Sequence, residues 1–312
     1  MAISYKEISY KTFGKVLAIT NGTIDLYVTV DCGPRIIRYG LCGGENFMFE
    51  DVEGGIVEKG ENFDEYFYKD AYWRTYGGHR LWLTPEAKPD TYYPDNDPVE
   101  YSVSGNVFTF TPPPQKTNLV QESFVITVAD EGTSVDVEAR AINIDSKPKA
   151  FGIWQISVMC KNGLAIVPQT LTDTGLLHNR TMSLWPYADM SDDRVCWGKK
   201  YITLQQDPNA DHPFKVGTTN TRKFVAYAAN DALFVKSFDW YDGVNYPDDG
   251  CNFETYTNPH FLELESLGKL ETVAPGDVIT GKEHWEIIAD VVKPCGKDMA
   301  AVEKLIEEKI GR

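Results

Sequence analysis

Long apolar runs are missing from this 312-residue sequence. No stretch reaches the roughly 18 consecutive apolar residues that a membrane-crossing helix needs, so no helical span is expected. Residues Met1 to Phe13 are polar and aromatic and lack the apolar stretch of a secretory signal, which makes the cytoplasm the expected compartment. Cysteine is sparse and scattered: Cys32, Cys42, Cys160, Cys196, Cys251 and Cys295 form no C-x-x-C pair and no metal-ligand spacing. In a reducing compartment they are expected as free thiols. Basic residues are few, with 30 Lys and Arg against 46 Asp and Glu and a net charge of −16. That balance argues against nucleic acid, whose phosphates must be neutralised by Lys and Arg, and against anionic membrane surfaces. It leaves a neutral ligand permissible, and most of the acidity serves solubility.

Familiar catalytic motifs are also absent. There is no G-x-S-x-G, no G-x-x-x-x-G-K, no G-x-G-x-x-G between strand and helix and no H-E-x-x-H. The five histidines, His79, His178, His212, His260 and His284, lie far apart, so no local metal cluster is expected.

What the sequence does contain is many short segments of period two, separated by Gly, Pro, Asn and Asp. Phe124, Ile126 and Val128 alternate with polar or small neighbours; after Asp130-Glu131-Gly132, Val135, Val137 and Ala139 do the same. This predicts a hairpin over 124–142 with one face in a core. Ile24–Val30, Val99–Phe110, Phe151–Val158, Phe224–Tyr227 and Ala232–Phe238 read as further strands. Many strands without interleaved long helices predict an all-β antiparallel β-sandwich or barrel. One helix is expected at the end, where Met299, Val302, Leu305, Ile306 and Ile310 form an apolar stripe with Asp298 as cap and Gly311 after the last turn. No repeat or linker divides the chain, and Pro112-Pro113-Pro114 reads as a stiff loop, so one domain is expected over 1–312.

Two segments carry candidate chemistry. Between Tyr66 and Trp82, aromatic rings are mixed with Arg74, His79 and Arg80, and the stretch Asp90–Asp97 comes next. Flat rings beside guanidinium and carboxylate groups suit a sugar, which offers C–H patches and hydroxyls; the same rings would also pack beneath a loop. In Phe261–Ser266, Glu263 and Glu265 share one face and Leu262 and Leu264 the other, with two residues spanning about 6.6 Å. Paired carboxylates from which water is partly excluded raise one another's pKa and suit a general base. The plain alternative is leucines in the core and glutamates in solvent.

Several segments also fall in a common order. They are Asp31-Cys32-Gly33-Pro34-Arg35-Ile36, Asn46-Phe47-Met48-Phe49, Tyr76-Gly77-Gly78-His79-Arg80, the 124–142 hairpin with Phe151–Ser157, Asp211-His212-Pro213-Phe214, and Phe253–Asn258. Together they resemble the galactose mutarotase-like (aldose 1-epimerase) superfamily along most of the chain. The resemblance implies a supersandwich fold with a short C-terminal helix and a small-molecule sugar as ligand. It also implies catalysis without metal or redox cofactor. The implied base is a Glu on the strand before Pro275-Gly276: spacing to that turn favours Glu263, the apolar stretch leading in favours Glu265. Arg74, Arg80, Trp154, Asp211 and Glu254 would orient the sugar, Glu254 standing where the family has a Gln. The family's central-strand His is missing; Gln155 there would bind a hydroxyl, and His79 would supply the acid. The missing His also keeps open a non-catalytic carbohydrate-binding protein on the same scaffold. A monomer and a homodimer both fit the pattern.

Overall fold

The alternation at 124–142 becomes a hairpin of two nine-residue strands, Val120–Val128 and Val135–Asn143, with Phe124 opposite Ala139 and Ile126 opposite Val137. The computed structural model describes residues 3–311. Each inward apolar side chain of this hairpin is buried, which stabilises the fold by about 1.5–3 kcal/mol for a large residue.

The hairpin belongs to one of two large antiparallel sheets. The first runs in spatial order Ser4–Ser9, Lys15–Thr20, Ile24–Thr29, Ile36–Leu41, Gly78–Thr84, Lys149–Met159, Leu262–Leu267, Phe253–Thr257, Phe214–Thr218, Met182–Leu184. The second runs Val195–Trp197, Tyr201–Gln205, Leu164–Pro168, Phe224–Ala229, Ala232–Phe238, Val278–Ala289, Val135–Asn143, Val120–Val128, Val107–Thr111, Glu100–Ser104. The sheets enclose one large apolar core, including Leu26, Phe110, Phe124, Ile153, Phe234, Leu264 and Trp285. The architecture is an all-β sandwich.

Residues 99–110, read as one strand, are two. Gly105 takes φ +62° and turns Glu100–Ser104 back onto Val107–Thr111. Pro112-Pro113-Pro114 is a loop. The helix Met299–Ile310 forms where its stripe placed it: Asp298 accepts from the Ala301 backbone N–H at 3.1 Å, and Gly311 closes the helix in the left-handed conformation. Val302 and Ile306 pack on the outer face of the second sheet against Leu164, Phe224 and Leu233. All six cysteines are free thiols. No helix among the described residues is long and apolar enough to cross a membrane.

The double glycine opens the strand that carries Arg80. Gly77 has φ +94°, and a Cβ there would lie 2.1 Å from the Phe49 carbonyl oxygen; at Gly78 it would lie 2.5 Å from that of Ile36. Only glycine lets the chain pass this close before entering the sheet.

Candidate functional site

Five strands at the middle of the first sheet turn one face away from the core. Strand register lays their side chains out in rows. One row reads Gly78, Val158, Glu263, Tyr256, Lys215 across the sheet. The next reads Arg80, Ile156, Glu265, Glu254, Gly217, and a third holds Trp82, Trp154 and Leu267. Charged groups thus flank an apolar floor of Ile156 and Val158. A two-stranded ribbon, Val57–Lys59 with Tyr72–Arg74, and the short helix Glu61–Tyr66 add Trp73 and Phe63 to the apolar cluster on this face.

The strand Leu262–Leu267 is buried at every position. Glu263 and Glu265 are therefore enclosed as well as the leucines, because the aromatic cluster covers their face of the sheet. Arg80 Nη2 donates to Glu263 Oε1 at 2.9 Å. The Arg80 guanidinium lies 4.2 Å from the Trp82 ring centroid and 5.4 Å from that of Trp73, a geometry that holds it by cation–π attraction. Glu265 Oε2 accepts from Trp154 Nε1 at 3.0 Å and from Lys215 Nζ at 3.1 Å. Lys215 Nζ also stands 2.7 Å from Glu254 Oε2 and lies between the rings of Trp154 and Trp185.

Burial pushes the Glu254 carboxyl well above the usual carboxylate range; Lys215 opposes this and Glu265 adds to it. Glu265 is raised for the same reason, burial, with Lys215 opposing and Glu263 adding. Burial alone would lower Lys215, but the Glu265 and Glu254 carboxylates outweigh it and hold the ammonium above its ordinary value. Polar atoms are left over here: Arg80 Nε and Nη1, Trp73 Nε1, Glu254 Oε1 and Oε2, and Glu265 Oε1 have no hydrogen-bond partner among the described residues.

The structure brings together five of the expected residues, Arg80, Trp154, Glu254, Glu263 and Glu265. Four others lie elsewhere. His79 follows its strand's alternation and points opposite to Arg80, into the sandwich, where it is fully buried. Its Nδ1 is 2.9 Å from Ser157 Oγ, and its Nε2 is 3.9 Å from Glu283. Burial, with Lys236 adding, holds it well below its ordinary value and thus neutral. Gln155 is inward for the same reason, next in chain to the outward Trp154, and its amide lies against Gly281 of the second sheet. Arg74 sits opposite Trp73 on its short strand, bonds the Asp51 carbonyl and stacks over Tyr76. Asp211 precedes its strand; its carboxylate is exposed and accepts from His212 at 2.7 Å.

Lys215 escaped the sequence reading. Its signal was a single cation inside Phe214–Thr218, a strand buried at every position. Trp185 had no signal, since it comes from a segment outside the regular alternation. Among the described residues, no group of three or more His, Cys, Asp and Glu side chains is placed to hold a metal ion.

The two paired antiparallel sheets define the class: the chain has the galactose mutarotase-like fold. Solved structures carry this likeness. YeaD of Salmonella typhimurium, a proposed mutarotase, superposes with TM-score 0.57 at 10% identity over 92% of this chain and 94% of its own. A proposed aldose 1-epimerase of Klebsiella pneumoniae gives 0.53 at 13% identity over 98% and 88%. A TPR-domain-containing protein of Parabacteroides distasonis gives 0.58 at 10% identity over 88% of this chain; the chain spans about half of that protein, 47%. No family model matches the sequence, and no curated protein matches it.

Proposed function

We propose that this face binds a small sugar and interconverts its anomers, with Glu263 as general base. One observation carries the choice of base. The Glu263 side chain is 12% exposed, whereas those of Glu254 and Glu265 are 1% exposed. Glu263 is the carboxylate that an incoming hydroxyl meets, and Arg80 fixes its direction. It removes the proton of the anomeric hydroxyl; the C1–O5 bond breaks as the carbonyl forms; rotation about C1–C2 and reclosure give the other anomer. Trp82, Trp154 and Tyr256 supply ring faces, and the unpartnered donors of Arg80 and Trp73 suit hydroxyl oxygens. General base catalysis of this kind contributes roughly 10²–10⁴-fold.

The inward placement of His79 favours a second reading, a non-catalytic sugar-binding protein on the same fold. Saturation-transfer NMR on a panel of free and phosphorylated aldoses separates the two. The epimerase reading expects anomer exchange above the spontaneous rate, lost in Glu263→Gln. Sugar binding with exchange at the spontaneous rate would leave the binding protein.

A further inference from the structure

Ring opening also needs a proton donor for the ring oxygen, and its assignment rests on the epimerase reading. Three carboxylates, Glu254, Glu263 and Glu265, share the face with two cations, Arg80 and Lys215. Arg80 is committed to Glu263. Lys215 therefore faces two carboxylates at once, at 2.7 Å and 3.1 Å. Glu254 and Glu265 are a register pair on adjacent strands, where Cβ atoms stand about 4.5–5.5 Å apart. Both are buried, and one ammonium balances one of them. A second buried negative charge without a partner is strongly disfavoured, so such a pair retains a proton.

The contacts decide where that proton sits. Glu265 Oε2 accepts from both Trp154 and Lys215, which favours its charged form. Glu254 meets Lys215 alone, as an ion pair, and neither of its carboxyl oxygens makes a hydrogen bond among the described residues, whereas at Glu265 only Oε1 lacks one. The other charges facing the pair act in the same direction or are spent elsewhere. Asp248 adds negative potential at Glu254, Glu263 adds it at Glu265, and Lys236, behind the sheet, is paired with Glu283. Gly217, beside Glu254 in its row, has the Cys251 thiol packed against it, 2.8 Å from where a Cβ would lie, so the neighbour on this side of the carboxyl is a neutral, weakly polar group.

We propose that Glu254 is a neutral carboxylic acid at neutral pH and is the proton donor that complements Glu263. Glu254 and Glu263 occupy diagonal positions on adjacent strands, about 7–8 Å apart. Trp185, half-buried over Lys215 on a segment outside both sheets, is the group an incoming ring displaces. In ring opening Glu263 takes the proton from O1, the C1–O5 electron pair moves to O5, and O5 takes the proton from Glu254. Glu263 ends neutral and Glu254 charged, so the net charge of the site is unchanged. Closure returns both protons.

Two readouts test this. Isotope-edited infrared spectroscopy on protein labelled with ¹³C at the Glu carboxyls detects protonated carboxyl groups at pH 7. A Glu122→Gln background removes a further carboxyl outside the site, one that desolvation raises to about 8. The expected result is one protonated band, lost in Glu254→Gln. It is lost also in Glu265→Gln, where Lys215 is left to ionise Glu254. Anomer exchange in both variants falls about 10²-fold or more. A band unchanged by Glu254→Gln overturns the proposal, and so does exchange within threefold of wild type in that variant. If the band belongs to Glu254 but the wild type accelerates no aldose, the epimerase reading fails and the donor role falls with it, while the retained proton stands. Glu254→Gln leaves a neutral Lys215–Glu265 pair, and a thermal unfolding curve like that of wild type separates lost chemistry from lost fold.

Discussion

Lys236 Nζ donates to the backbone carbonyl of Leu264 at 2.9 Å, so a fully buried cation on the second sheet holds the strand segment between Glu263 and Glu265 from behind. The same ammonium pairs with Glu283 at 2.8 Å, and Glu283 also accepts from Ser266 Oγ and Trp285 Nε1. Lys236→Met strands the Glu283 charge in the core and is expected to cost about 3–5 kcal/mol in urea unfolding. The double variant Lys236→Met/Glu283→Gln should recover much of that loss, because no lone charge remains.

Arg80 is expected to be irreplaceable by lysine. Its planar guanidinium lies against Trp82 and Trp73 while it aims Nη2 at Glu263. A flexible ammonium keeps the charge and loses that geometry. Arg80→Lys should lower anomer exchange by about tenfold or more while changing stability little. Arg80→Met should also destabilise the fold by about 1–3 kcal/mol, measured by denaturant titration.

Glu263→Gln tests the base directly. Exchange should fall by about 10²–10⁴-fold while sugar affinity, read by titration calorimetry, stays within a few-fold. Full exchange in this variant would exclude Glu263 as base.

His79 gives a pH signature. Its folded value is depressed well below its ordinary 6.5, burial being the main cause. The unfolded chain therefore binds a proton that the folded chain refuses. The stability is fully present above about 6.5 and is lost as pH falls from there toward the folded value. His79→Gln should flatten this part of a stability–pH curve measured by denaturant unfolding.

Gly77→Ala should destabilise by more than about 1 kcal/mol, since both its φ of +94° and the Phe49 carbonyl 2.1 Å from a Cβ oppose a side chain. Thermal unfolding measures it, and the loss should also displace Arg80.

Period-two patterning was readable wherever one strand face meets the core and the other meets water, as at 124–142. It failed at Val99–Phe110, where a two-residue turn at Gly105 and Asn106 hides inside an apolar run. It left Phe261–Ser266 open between a covered carboxylate pair and glutamates in solvent, because alternation separates two faces without saying whether the polar one is covered. Of the residues the likeness singled out, Arg80, Trp154, Glu254, Glu263 and Glu265 share one face of the sheet. Arg74 and Asp211 lie off it, and His79 and Gln155 point into the sandwich, each one residue out of phase with an outward neighbour.

The sequence by itself determined the β class, the terminal helix, and the pairing of Glu263 with Glu265 on one strand face, since these come from local periodicity and caps. Only the tertiary structure decided what surrounds that pair. Register across five strands, separated by from four to more than a hundred residues in the chain, set Lys215 against both Glu254 and Glu265. The aromatic cover then removed water from all of them. Charge balance among buried groups depends on that assembly, so it is a property of the packed sheet rather than of any single segment.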